Sequence, residues 1–268
     1  MEWCSKICLP RICRLPWSLT EEKFSVLLSI CDERFVKDVD LWASFALIDA
    51  KVEEFVLEFC DDENCLEAVC EYKFPQYAYK NTSLRYLVLV NCILNPKDNV
   101  NWTSLVSLLL KDLKLIEGVI EKALSGCPNL ECLELDRIWG IHRLEISNVK
   151  LRKLVISNVS LEILALYVQN LQLLRSCPEI RLKNMASLVT AVLDLDFKHG
   201  DQLQKNNSSC LKELLHSIAH VENLELRSSF KLFTIQNSLK EKKIYLDVLI
   251  SLLNMQHFVI LTYSRLSM

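Results

Sequence analysis

His216 and His220 stand four residues apart in CLKELLHSIAH, a stretch with helical apolar spacing. That separation places two side chains on one helix face, where both imidazoles can reach a single metal. HSIAH lacks the glutamate that follows the first histidine in HExxH. No general base accompanies the pair, so packing or exposure is its expected role. Asp194 and Asp196, in LDLDF, point the same way along a strand. Two carboxylates fall short of the roughly six to eight oxygens that calcium takes, and a solvated sheet face is expected. Asp61, Asp62 and Glu63 form a run that reads as solvated charge. Cys127 and Cys177 each precede proline, in SGCP and SCP, and no motif supplies a base for a nucleophile. Both are expected to fill the core beside a turn.

Cysteine and glycine spacing closes off further chemistry. Among 12 cysteines there is no CxxC: Cys60, Cys65 and Cys70 are five apart, as are Cys127 and Cys132. Most are expected to be buried small hydrophobes, whereas Cys4, Cys8 and Cys13 lie in a tail without a packing pattern. The four glycines, Gly118, Gly126, Gly140 and Gly200, form neither GxGxxG nor GxxxxGK[ST]. Phosphate cradles of those kinds need clustered glycines for close backbone approach. No catalytic, metal or cofactor site is therefore expected, and the chain does not read as an enzyme.

The scaffold must then carry the function. Of 268 residues, 31 are basic and 34 acidic, a net charge of −3 that weighs against a nucleic-acid binder. The first twenty residues have no apolar signal region, because Lys6, Arg11 and Arg14 interrupt each short run. The longest apolar segment, residues 244–263, is broken by Asp247, Asn254, Gln256 and His257, so no membrane span is expected. A buried or amphipathic helix running into a short strand is expected there. A reducing, intracellular compartment, cytoplasmic or nuclear, fits the cysteine usage.

Fifty leucines have a cause: LxxLxL recurs ten times. The copies start at Val52, Leu84, Leu105, Leu130, Ile141, Leu151, Leu161, Leu171, Leu188 and Val221. Steps between starts are 32, 21, 25, 11, 10, 10, 10, 17 and 33. One coil of a leucine-rich-repeat solenoid takes roughly 20 to 29 residues, so ten-residue steps must pair up, one strand in front and one behind. On this reading Leu130, Leu151 and Leu171 begin front strands, and Ile141 and Leu161 begin back strands. Longer steps leave room for helices, expected over 116–125 and 210–220, and for polar loops over 61–80 and 198–209. Asn91, Asn148, Asn158 and Asn170 fall near strand ends, where asparagine tolerates left-handed turns.

The expected fold is thus an α/β leucine-rich-repeat solenoid with a parallel concave sheet and an irregular helix-and-strand convex side. Motif leucines point into the coil, and alternation sends the intervening residues outward onto the concave face. The expected partner-binding positions are Tyr86, Val88, Leu109, Lys111, Glu134, Asp136, Lys153, Val155, Arg175, Asp194, Glu225 and Arg227. Further outward positions are Glu54, Glu58, Ser107, Ser157, Thr190 and Asn223. Mixed apolar and acidic character suits a protein partner rather than a polyanion.

Several runs resemble plant F-box/LRR-repeat proteins of the FBD-associated group. They are NTSLRYLVLVNCILNP, WTSLVSLLLKDLKL, IEKALSGCPNLECLELDR, LRKLVISN and LLHSIAHVENLEL, with DERFVKDVDLWASFALIDAKVEEFVLEFCDD upstream. The resemblance covers residues 24–230. It implies a substrate-recognition subunit of an SCF-type ubiquitin ligase, in which an F-box binds the adaptor and the repeats hold the target. Of an F-box opening only Leu15, Pro16 and Leu19 are present. Adaptor binding is expected only if residues 1–23 form a working, degenerate F-box. Otherwise the chain is a stand-alone repeat module or a truncated product. The expected organisation is a tail over 1–23, a helical linker or cap over 24–51, repeats over 52–230 and a divergent segment over 231–268.

Overall fold

The computed structural model describes residues 17–20, 22–28, 33–59, 72–175, 179–194, 213–228 and 231–235. Its spine is an eleven-stranded sheet. In order it contains β1 (Trp17–Leu19), β2 (Lys23–Leu28), β3 (Glu54–Phe59), β4 (Tyr86–Val90) and β5 (Ser107–Lys114). It continues with β6 (Cys132–Trp139), β8 (Lys153–Ser157), β10 (Asn170–Leu174), β12 (Thr190–Asp194), β13 (Asn223–Ser228) and β14 (Lys231–Ile235). Every pairing from β2 through β13 is parallel, whereas β1 and β14 pair antiparallel at the two ends. Behind it lies a three-stranded parallel sheet of β7 (Arg143–Ile146), β9 (Glu162–Ala165) and β11 (Arg181–Lys183). This is a leucine-rich-repeat solenoid.

The coils close in different ways. The strands beginning at Cys132, Lys153, Asn170 and Thr190 are in mutual register, so successive coils there take 21, 17 and 20 residues. Each of these short coils returns through a back strand, which rises about 3.3 Å per residue against 1.5 Å for a helix. Longer coils return through helix: α1 (Glu33–Ser44) continuing as a π-helical turn (Phe45–Asp49), a 3-10 turn (Gln76–Lys80), and α2 (Val119–Ser125). The coil between β12 and β13 is helical over 213–217.

Stacked rows of motif residues make the core. Phe55, Leu87, Leu108, Leu133, Leu154, Leu171, Ala191 and Leu224 share one register row, and all are buried. No coil can bury its own apolar edge, so each one depends on its neighbours. In the first coils the filling turns aromatic: Phe24 stacks on Phe55 at 5.8 Å, and Tyr79 on Trp102 at 5.5 Å. Trp102 donates its indole N–H to the Ala78 carbonyl at 2.8 Å, which satisfies its one polar atom within the core.

The structure differs from the sequence reading in several places. Residues 24–51 hold strand β2 as well as helix; Phe24, Val26 and Leu28 are buried and alternate with outward Ser25 and Leu27. Strand β10 buries Leu171 and Leu173, so its motif starts at Val168, and Leu174 faces outward. In β9 the inward residues are Ile163 and Ala165, while Leu166 is 44% exposed. Val149, placed by the motif in a repeat, is exposed. Left-handed backbone occurs at Asn91 and Asn158 but not at Asn148 or Asn170. Helix α2 is shorter than the expected 116–125. The loops at 61–71 and 198–209 and the segment at 244–263 lie outside the described residues.

Candidate functional site

On the solvent face of the long sheet, which the repeat reading makes concave, the outward positions form three rows in the sheet register. The first row runs Lys23, Glu54, Tyr86, Ser107, Cys132, Lys153, Asn170, Thr190, Asn223. The middle row runs Ser25, Val56, Val88, Leu109, Glu134, Val155, Gln172, Val192, Glu225. The third runs Leu27, Glu58, Val90, Lys111, Asp136, Ser157, Leu174, Asp194, Arg227. Strand geometry sets neighbours within a row about 4.7–4.9 Å apart.

The middle row is the apolar one. Val56, Val88 and Leu109 are half-buried, whereas Val155 and Val192 are almost covered, at 3% and 7% exposure. Their flanking neighbours in the row, Glu134 and Gln172, carry longer side chains. Val155 is therefore floor rather than an exposed contact, and Ser157 in the third row is buried likewise. Tyr86 stands open at 42%, with the Arg85 guanidinium 5.8 Å from its ring centre.

Of the expected partner-binding positions, Tyr86, Val88, Leu109, Lys111, Glu134, Asp136, Lys153, Val155, Asp194, Glu225 and Arg227 all occupy these rows. Arg175 does not: it follows β10 with a left-handed backbone, and Leu174 takes the row position. Sequence reasoning missed Val56, Val90, Cys132, Asn170, Gln172 and Val192 on this face. Strict period-two counting within each strand would have found them.

A second feature borders the third row. Immediately after it, five successive coils carry a left-handed residue: Asn91, Asp112, Arg137, Asn158 and Arg175. Polar side chains bridge neighbouring coils at two places along this border. Arg137 clasps Asp112 through two hydrogen bonds, one of them 2.6 Å from Nη2 to Oδ2, and Asn158 donates to the Asp136 carboxylate at 2.9 Å. Asp136 is thereby satisfied although nearly buried.

The residues capable of chemistry are spread across the fold. His220 donates from Nε2 to the Met185 carbonyl at 2.9 Å, tying its helical coil to the one before, and His216 is exposed. The Cys127 thiol donates to the Ala123 carbonyl at 3.1 Å, and burial pushes its pKa up to about 12. Such a thiol is the reverse of an activated nucleophile. Burial likewise raises the Cys132 thiol, opposed by the Lys153 ammonium and a hydrogen bond with Ser107. On the back sheet, the hydrogen bond from Lys183, 2.7 Å away, holds the Glu162 carboxyl below its usual range. Asp61, Asp62, Glu63, Asp196 and Cys177 lie outside the described residues. Among the described residues no three histidine, cysteine or acidic side chains converge on a metal position. Nor is any described helix long and apolar enough to cross a membrane.

Comparison with known proteins points one way. Residues 39–192 match the family described as FBD-associated F-box protein At5g56370, LRR repeats. The F-box/LRR-repeat protein At3g03360 of Arabidopsis thaliana is 28% identical over 238 residues, covering 80% of this chain and 47% of that protein. The F-box/LRR-repeat protein At5g02910 of the same plant is 30% identical over 193 residues, 66% of this chain and 42% of its own length. The F-box protein At5g03100, also from Arabidopsis, is 36% identical over 124 residues, or 45% and 37% of the two chains. The chain thus spans about half, or less, of the length of these curated relatives. No solved structure matches it at a significant level.

Proposed function

The chain belongs to the family of LRR repeats of FBD-associated F-box proteins, and from that premise we propose that it is a non-enzymatic protein-recognition module. Its role is that of the target-binding part of an SCF-type F-box ubiquitin-ligase subunit, with the solvent face of the long sheet as the recognition surface. The observation that carries this reading is the middle row: Val56, Val88 and Leu109 are half-buried aliphatics on a face that the core does not use. A folded solenoid gains nothing from apolar side chains there, but a partner that covers them does. Charged first and third rows supply the polar rim typical of protein interfaces.

The test has two arms. Lys153→Glu and Lys111→Glu should weaken target binding with the melting temperature nearly unchanged, because both side chains stand in outward rows. A pull-down against the ligase's adaptor subunit, with an intact F-box relative as positive control, tests the ligase connection separately. Adaptor binding by this chain supports the ligase role. Failure of a folded sample to bind it leaves a recognition module acting without the ligase.

A further inference from the structure

At the centre of the aliphatic middle row sits a single carboxylate. Glu134 is flanked in register by Leu109 on one side and Val155 on the other. It is half-buried, and no described side chain reaches it with an ion pair or hydrogen bond. Two other acids of the face have partners close by: Glu54 takes the Lys23 ammonium at 2.5 Å, and Asp136 takes the Asn158 amide. The nearest lysines in the sheet register, Lys111 and Lys153, lie on the outer rows, diagonal to Glu134 at a typical spacing of about 7–8 Å. By position, the three rows hold six acidic residues (Glu54, Glu58, Glu134, Asp136, Asp194, Glu225) against four basic ones (Lys23, Lys111, Lys153, Arg227).

We propose that the partner of this face is an extended basic segment whose lysine or arginine seats on Glu134, with aliphatic side chains beside it over Leu109 and Val88. The inference rests on the recognition reading above and names the chemistry of its target. Covering Glu134 with an apolar partner strands a carboxylate in a drying interface, which costs binding energy. A cation at that point turns the same burial into a charge-assisted hydrogen bond. A carboxylate set between aliphatic neighbours therefore selects against uncharged segments as much as it selects for a basic one. The acidic excess of the face adds attraction at longer range, weakened by salt.

The probe is a phage-displayed library of random dodecapeptides panned against the full chain, with Glu134→Gln, Glu134→Lys and Leu109→Arg variants checked for native circular dichroism. The expected result is enrichment of peptides with a lysine or arginine next to aliphatic residues. These should bind Glu134→Gln about tenfold or more weakly, as for other close charge pairs. Panning against Glu134→Lys should instead enrich an aspartate or glutamate at the same place. Enriched peptides without a basic residue, or equal affinity for Glu134→Gln, overturn the proposal. If Leu109→Arg still abolishes binding in that case, the face remains the recognition surface and only its chemistry was misassigned. Binding indifferent to Leu109→Arg as well, or a library that yields no binder, overturns the basic-segment proposal. Indifference to Leu109→Arg also removes the recognition reading of this face.

Discussion

Asp112 and Arg137 occupy the same position on neighbouring coils, each with a left-handed backbone, φ 55° and 50°, and their side chains clasp one another across the coil boundary. A left-handed residue with a Cβ is strained by about 1–2 kcal/mol, least for asparagine and aspartate. The row otherwise uses Asn91, Asn158 and Arg175, so Arg137 and Arg175 are its two misfits, and an ion pair with the neighbouring coil holds Arg137 in place. An exposed pair of this kind contributes roughly 0–1 kcal/mol. Arg137→Gly and Arg137→Asn are therefore expected to be close to neutral, because relief of strain offsets the lost pair. Arg137→Val should cost about 1–3 kcal/mol, since a β-branched residue suits this conformation worst. Urea midpoints for the three variants check the order; a valine variant as stable as the glycine variant removes strain from the account.

Gly140 has the same left-handed backbone, φ 88°, and in addition no room for a side chain. A Cβ there would lie 2.3 Å from the Leu115 carbonyl oxygen, a backbone atom of the preceding coil. Leu115 N–H bonds to the Trp139 carbonyl at 2.8 Å across the same junction, so the two coils cannot simply part. Gly140→Ala should cost about 2–4 kcal/mol, combining the conformational penalty with the clash. Gly118, with φ 83° and open space around it, is the control: its alanine variant meets only the conformational part, about 1 kcal/mol. Equal melting temperatures for the two variants would refute the steric component.

In the back strand β9, Ile163→Ala should cost about 2–5 kcal/mol and Leu164→Ala far less. Ile163 is fully buried and sits in register between Leu144 and Leu182, while Leu164 points outward between Glu145 and Lys183. Thermal melts of the two variants decide it. A larger loss for Leu164 would restore the motif-based phase.

That last case shows where the sequence was legible and where it was not. Front strands were readable because LxxLxL places its second and third leucines two apart, the true strand period; Leu133 with Leu135 and Leu154 with Ile156 came out buried as expected. The alternation of front and back strands was readable from the ten-residue steps, which leave no length for a helix. In LEILAL, however, both phases are apolar, and the motif selected the wrong one. Glu162 was the discriminating residue: strict alternation that turns Glu162 outward also turns Ile163 inward. Strand β2 escaped notice because it lacks leucine at the motif positions, using Phe24 and Val26 instead. Isolation of Glu134 in the aliphatic row depends on register between three strands, which no single segment encodes.

Stability should fall at alkaline pH for a reason placed in the core. Burial pushes the Cys92 and Cys127 thiols up to about 12, and it raises Tyr72, Tyr77 and Tyr79 as well. Tyr72 is raised further by the hydrogen bond it donates to Asp40 at 2.7 Å. For such groups the folded chain keeps a proton that the unfolded chain gives up at the ordinary value, about 8.5 for a thiol and 10 for a phenol. Below those values both states are protonated, and the contribution is fully present. As pH rises toward 12 the unfolded state binds fewer protons than the native state, so unfolding free energy decreases. Melting temperature should hold to about pH 8.5 and drop steadily above it. The double variant Cys92→Ala, Cys127→Ala separates the contributions. It should start less stable at neutral pH, because two buried groups are truncated, yet lose less between pH 8.5 and 10, where thiols titrate ahead of phenols. An unchanged slope in that window would show that the buried thiols do not titrate on unfolding and that the alkaline limit belongs to the tyrosines alone.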